Sequence, residues 1–78
     1  MYIATFHTHF GATSFNRSIV RLGQKGIMCP VPRALSASCG VCVKFNDTAN
    51  IDFLNCQDLY CVYKEISDGK YKLVFSQE

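Results

Sequence analysis

Hydrophobic and polar residues alternate in several short stretches of this 78-residue chain, and a period of two is typical of a half-buried β-strand. The alternation predicts strands at residues 2–7 and 41–45. Residues 27–32 are also largely apolar, but Pro30 and Pro32 cannot donate the hydrogen bonds of a ladder. We therefore expect the strand at residues 27–32 to lie at a sheet edge or to leave the sheet at the prolines.

The last part of the chain predicts a β-hairpin. Residues 59–66 and 71–75 both alternate, and Ser67-Asp68-Gly69-Lys70 joins them. Asp-Gly at the centre of such a connection suits the positive backbone angles of a two-residue turn.

Spacings of three and four between apolar residues predict a helix over about Phe10 to Gln24, with Thr8 as its cap and Gly23 or Gly26 at its end. Its buried stripe is expected to contain Ala12, Phe15, Ile19 and Leu22.

A second, shorter helix is predicted over residues 51–55, where Ile51 and Leu54 would point inward. Thr48 or Asn50 would cap it.

The order strand, helix, strand, strand, helix, strand, strand predicts an α+β fold. We expect a small two-layer sandwich in which an antiparallel sheet carries two helices on one face. A ferredoxin-like βαββαβ core with an extra C-terminal hairpin strand fits this order. At this length the chain, residues 1–78, is expected to form a single domain.

Composition narrows the functional classes. The net charge is only +2 and the basic residues are scattered, so we expect no nucleic-acid binding. No apolar run approaches the roughly 20 residues that span a bilayer, and the first residues do not read as a signal peptide. We therefore expect a cytoplasmic protein without membrane association, whose five cysteines are reduced thiols because the number is odd.

The segment from Cys29 to Cys42 carries three of the five cysteines and both prolines. Cys39 follows Ser36 and Ser38 and precedes Gly40, where serine hydroxyls and free amides could stabilise a thiolate and the glycine lets a ligand approach. Arg33 would add positive charge if the loop folds back. The alternative interpretation of Cys39 is a buried cysteine that packs as a small hydrophobe.

Cys39 and Cys42 have the Cys-x-x-Cys spacing of redox dithiols and of zinc sites. A redox dithiol usually opens a helix, whereas this pair enters a strand. A zinc site would need Cys29 and either His7 or His9 as further ligands. His9 could instead act as a hydrogen-bond partner or base for a thiol.

Two cysteines outside this segment need no functional explanation. Cys56 adjoins the short predicted helix and Cys61 lies in a predicted strand, and packing accounts for both.

Cys29-Pro30-Val31-Pro32 resembles the Cys-Pro-x-Pro signature of TusA-like sulfur carriers. In that family the motif follows the first strand and opens the first helix. Here it follows a complete strand and helix, so we rank Cys29 below Cys39 as the working thiol.

A second resemblance covers nearly the whole chain. The opening Tyr2-Ile3-Ala4-Thr5-Phe6 with His9 and Ala12, then Pro30-Val31-Pro32-Arg33 and Ser36-Ala37-Ser38-Cys39-Gly40, resembles a selenium/sulfur carrier-like family of short bacterial proteins. The resemblance implies that Cys39 bears sulfur or selenium, surrounded by Gly40, Ser36 and Arg33. Cys29 and Cys42 lie outside the family pattern, and either could serve as a resolving thiol.

The resemblance implies a carrier protein rather than a turnover enzyme. Such a carrier would receive sulfur or selenium from a cysteine desulfurase-like donor, pass it to a protein acceptor and need no cofactor.

Two other interpretations remain. One is a small metal-binding or redox-sensing module that uses Cys39, Cys42, Cys29 and a histidine. The other is a non-catalytic interaction domain whose sheet edge pairs with a partner or with a second copy in a homodimer.

Overall fold

The computed structural model describes residues 1–32, 35, 40–47, 51–56 and 58–77, with the main chain alone at residue 54. Five strands, one α-helix and one 3₁₀ turn make up its regular structure, which confirms the predicted α+β class. The elements are β1 (Tyr2–Phe6), α1 (His9–Arg21), β2 (Ile27–Cys29), β3 (Val41–Phe45), the 3₁₀ turn (Phe53–Asn55), β4 (Leu59–Ser67) and β5 (Lys70–Ser76).

The five strands form one antiparallel sheet in the order β2-β3-β1-β4-β5. β1 lies at its centre, and four of its five residues are buried. β2 lies at one edge and ends at Cys29, immediately before Pro30, which has no N–H to donate to a ladder. The expected proline-terminated edge strand is therefore confirmed.

The helix begins as the sequence predicts. Thr8 is the N-cap, and its Oγ1 accepts a hydrogen bond from the Gly11 N–H at 3.0 Å. At the other end the cap is Leu22, and Gly23 follows with φ of +84°, a conformation that favours glycine. Leu22 does not join the buried stripe: it is 46% exposed, because the helix ends one residue before it.

One face of the sheet packs against α1 through aromatic side chains. Phe15 of the helix lies against Phe6 and Phe45, with ring centroids 5.2 and 5.3 Å apart. Phe53 of the 3₁₀ turn contacts the same cluster and also Phe75 of β5. The buried members of this core are Ala4, Phe6, Ala12, Phe15, Ile19, Val43, Phe45, Leu59 and Val62.

The second predicted helix is not confirmed. Residues 53–55 make a single 3₁₀ turn, closed by the Asn55 N–H to the Asp52 carbonyl and the Cys56 N–H to the Phe53 carbonyl. Phe53 is held by three aromatic neighbours, so burying its ring fixes this segment without helical length. The proposed caps Thr48 and Asn50 lie outside the described residues. Because the described residues contain one α-helix, neither the two-helix layer nor the ferredoxin-like pattern is confirmed.

The C-terminal hairpin is present. β4 and β5 pair antiparallel, and Ser67 lies opposite Lys70 across the two-residue turn. Gly69 has φ of +79°, whereas Asp68 does not adopt a positive φ, so the turn needs the left-handed conformation only at the glycine. Within the described part of the chain, no helix has the length and apolar character needed to cross a membrane.

Candidate thiol site

The sheet face turned away from α1 carries a row of thiol and hydroxyl side chains. Successive residues of a strand point to opposite faces. Because Ala4, Phe6 and Val43 pack toward the helix, their neighbours Thr5 and Cys42 point away from it. The strand register aligns one residue from each strand in this row, in the order Cys29, Cys42, Thr5, Cys61 and Ser76.

Cys29 and Cys42 form a close pair at the β2 end of this row. They are directly opposite each other in the antiparallel ladder, and their Sγ atoms are 3.3 Å apart. Cys42 is fully buried, whereas Cys29, the last residue of the edge strand, is half-buried. The two thiols therefore touch but differ in their access to solvent.

The environment of Cys42 favours its protonated form. Burial, followed by the hydrogen bond and the charge interaction with Cys29, raises the pKa of the Cys42 thiol from 9.0 to about 12, and Lys44 opposes this shift only partly. Its Sγ lies 3.6 Å from the Pro30 carbonyl oxygen, to which the S–H can donate. Cys42 is accordingly a poor first nucleophile at neutral pH, because the thiolate is the reactive form.

Thr5 and Cys61 continue the row at the middle of the sheet. The Thr5 hydroxyl accepts from the Cys61 N–H at 3.2 Å and donates to the Cys61 carbonyl at 3.3 Å, next to an irregularity in the β1–β4 register. Cys61 is 5% exposed, and its Sγ lies 3.8 Å from the Ser76 hydroxyl. These contacts support a packing role for Cys61.

A cavity of about 530 Å³ lies on the other side of the molecule, between α1 and residues 51–56. Cys56 borders it and donates a hydrogen bond to the Asp52 carbonyl at 3.3 Å. Burial and the nearby Asp52 carboxylate raise the pKa of the Cys56 thiol. No sequence pattern predicted this cavity, whose lining comprises Gly11, Ser14, Phe15, Ser18, Ile19, Arg21, Leu22, Ile51, Asp52, Asn55 and Cys56.

Four of the predicted site residues, Arg33, Ser36, Ser38 and Cys39, lie outside the described residues. Gly40 is exposed, and a Cβ built on it would have no neighbour within 4 Å.

The two histidines lie at the start of the helical part of the chain. His9 is the first residue of α1 and is exposed, while His7 lies just after β1 with its ring 4.9 Å from that of Tyr60. Among the described residues, no group of three or more His, Cys, Asp or Glu side chains could hold a metal ion.

Sequence reasoning did not find the Cys29–Cys42 contact. Cys29 was assigned from the Cys-Pro-x-Pro motif and Cys42 from the Cys-x-x-Cys motif, and each motif involves only nearby residues. The structure brings the pair together through strand register, across 13 positions of sequence. No local pattern reveals it, because the contact depends on the register of β2 against β3.

The model of the family described as "Putative Se/S carrier protein-like" matches residues 1–56 of the chain. The chain belongs to this family. The matched region of the Se/S carrier-like chain runs from β1 through the 3₁₀ turn and includes the whole segment from Cys29 to Cys42. The β4–β5 hairpin lies beyond it. No curated protein and no solved structure matches the chain.

Proposed function

We propose that this protein carries sulfur or selenium, holding the atom as a persulfide or selenosulfide on a cysteine of the segment 29–42. The observation that carries the proposal is the family match over residues 1–56, which includes all three cysteines of that segment. Cys29 and Cys42, the two described cysteines of the segment, contact each other at the sheet edge.

The differences between the thiols guide the choice of acceptor. A carrier needs a nucleophilic thiolate that a donor can reach. Cys42 is buried and keeps its proton, and Cys56 has a raised pKa. We propose Cys39 as the first acceptor, because of the serines before it, the glycine after it and its place in the family resemblance. Cys29 is the second candidate, being the half-buried member of the described pair.

The chemistry of the proposed transfer is simple. The Cys39 thiolate takes a sulfane sulfur or selenium atom from a donor of the cysteine desulfurase class, which leaves the donor cysteine as a thiol. The resulting Cys-S-SH or Cys-S-SeH is then attacked by a protein acceptor. No further cofactor is required, and we propose that the exchange takes place in the cytoplasm. Association of two copies stays a prediction.

Mass spectrometry of the intact protein tests this function. The reduced protein is incubated with a cysteine desulfurase and cysteine, the desulfurase is removed, and each cysteine peptide is examined for an added sulfur atom. We expect the sulfur on Cys39, its loss in a Cys39→Ser variant and its retention in a Cys61→Ser variant. Sulfur found mainly on Cys56, or on no cysteine, would contradict the proposal.

Metal content discriminates the carrier from the metal-binding alternative in the same preparations. Stoichiometric zinc in protein purified without added metal, lost in a Cys42→Ser variant, would favour a metal site over a carrier thiol.

A further inference from the structure

We infer that Cys29 and Cys42 are a cross-strand dithiol that closes to a disulfide and thereby discharges a sulfur atom carried on Cys29 as sulfide. This inference rests on the proposed function, because it requires a cysteine of this chain to receive a sulfane sulfur. It adds to that function a second way to unload the sulfur, without an acceptor protein.

The main-chain geometry allows the bond. Residues directly opposite in an antiparallel ladder have Cα atoms about 4.5 or 5.5 Å apart, and both separations fall within the range that disulfides span. The two Sγ atoms, at 3.3 Å, need to approach by only about 1.3 Å to reach the usual bond length of about 2.05 Å. β2 has three residues and lies at the edge of the described sheet. Because it pairs with only one neighbouring strand there, it can shift by this distance.

The two thiols are also unequal in the way that such a step requires. Cys29 is the more accessible sulfur at the end of the edge strand, which makes it the one that can receive an atom from outside. Cys42 is fully buried against it and cannot be reached by a donor protein. Its Sγ lies 3.3 Å from the Cys29 sulfur and 3.6 Å from the Pro30 carbonyl oxygen, so Cys29 is the thiol that it can attack without moving far.

The reaction balances without an external oxidant. Cys29-S-SH and Cys42-SH give Cys29-S-S-Cys42 and H₂S. The Cys42 sulfur forms a bond to Cys29 Sγ, the bond from Cys29 Sγ to the outer sulfur breaks, and the outer sulfur leaves with the electron pair. The proton of Cys42 ends on the departing sulfide. The outer sulfur is reduced while Cys42 is oxidised, and with a selenosulfide the product is hydrogen selenide.

The raised pKa of Cys42 limits the rate of this step. Since the attacking form is the thiolate, release is slow near neutral pH and accelerates as pH rises. Cys29 that carries a sulfane sulfur would therefore keep it long enough for an acceptor protein to take it. When no acceptor binds, the sulfur would leave as sulfide.

The experiment charges the reduced protein with glutathione persulfide, removes the donor by gel filtration under argon, and follows sulfide release and protein mass. We expect up to one equivalent of sulfide per chain, a final mass two hydrogens below that of the reduced protein, and a peptide that links Cys29 to Cys42. In Cys42→Ser the added sulfur should persist about tenfold longer or more. Cys61→Ser, a buried thiol of the same row, is the matched control and should behave like the wild type.

The inference is overturned if Cys29 gains no sulfur from glutathione persulfide, if wild type and Cys42→Ser release sulfide at the same rate, or if the disulfide joins a different pair. If Cys42→Ser does not fold, the linkage map of the wild-type protein decides by itself. Failure of the proposed function gives a different result. The desulfurase and cysteine would then add no sulfur to the protein, whereas glutathione persulfide would still add sulfur to Cys29.

Discussion

Gln24 and Asp47 bind each other through two hydrogen bonds that join the chain after α1 to the chain after β3. The Asp47 N–H donates to Gln24 Oε1 at 2.9 Å, and Gln24 Nε2 donates to the Asp47 carbonyl oxygen at 2.8 Å. The same Oε1 also accepts from the Asn46 N–H at 3.1 Å. One side chain thus makes, with the end of β3, the contacts that a neighbouring strand would make.

Gln24→Ala is expected to lower the free energy of unfolding by about 1–2 kcal/mol, because three hydrogen bonds of modest net value are lost at an exposed site. Urea denaturation measures the change. Lys25→Ala, at the adjacent exposed position, is the control and should leave the midpoint nearly unchanged. Equal stability of the two variants would show that the side chain of Gln24 contributes little.

Thr5→Val is expected to destabilise the protein by about 1–3 kcal/mol, although it preserves the shape of the side chain, because it removes the hydroxyl partner of a buried N–H. Thr5 is fully buried, and its hydroxyl bonds both the N–H and the carbonyl of Cys61. Thr5→Ser keeps the hydroxyl and should retain most of the stability. Thermal unfolding of both variants provides the measurement, and a more stable valine variant would argue against these hydrogen bonds.

Cys42 is expected to resist alkylation in the folded protein. At pH 8 its thiolate fraction should be roughly a thousandfold lower than in the unfolded chain, because the pKa rises from 9.0 to about 12. Labelling with iodoacetamide, followed by peptide mapping in the presence and absence of urea, gives the two rates. Cys42 labelling in the folded state at the unfolded rate would contradict its burial.

The free energy of unfolding is expected to fall as pH rises above about 9. The unfolded chain releases the Cys42 proton near 9.0, whereas the folded chain holds it until about 12. The stabilisation is therefore complete below pH 9 and is lost as pH rises through this window, by at most about 1.4 kcal/mol per pH unit from this group. Other groups titrate in the same range, so the informative quantity is the difference between wild type and Cys42→Ala. Parallel curves for the two proteins would refute the assignment.

The elements that the sequence predicts correctly are those in which local chemistry and packing agree. Thr8 caps α1, the Asp68-Gly69 turn closes the hairpin, and Pro30 ends β2, each for a reason contained in a few adjacent residues. Residues 51–55, where the predicted helix is not confirmed, differ for the opposite reason. The spacing of Ile51 and Leu54 suggested a helix, but the position of Phe53 depends on rings contributed by α1, β3 and β5, which no local pattern reveals.

The candidate site was likewise predictable only in part. The sequence drew attention to segment 29–42 because three of the five cysteines lie in it. Which of them touch was not evident, because the contact between Cys29 and Cys42 depends on the register of β2 against β3, and a shift by one residue would turn one of the two side chains to the other face. The burial that raises the pKa of Cys42 likewise follows from its neighbours in space.

The family match ends at Cys56, yet β1 pairs with β3 on one side and with β4 on the other. The matched region taken alone would leave the central strand with a row of unpaired N–H and C=O groups, and Leu59 and Val62 would be missing from the core. Such an edge is a template for intermolecular pairing. A fragment that stops at residue 56 is therefore expected to aggregate, because the β4–β5 hairpin no longer pairs with this edge of β1.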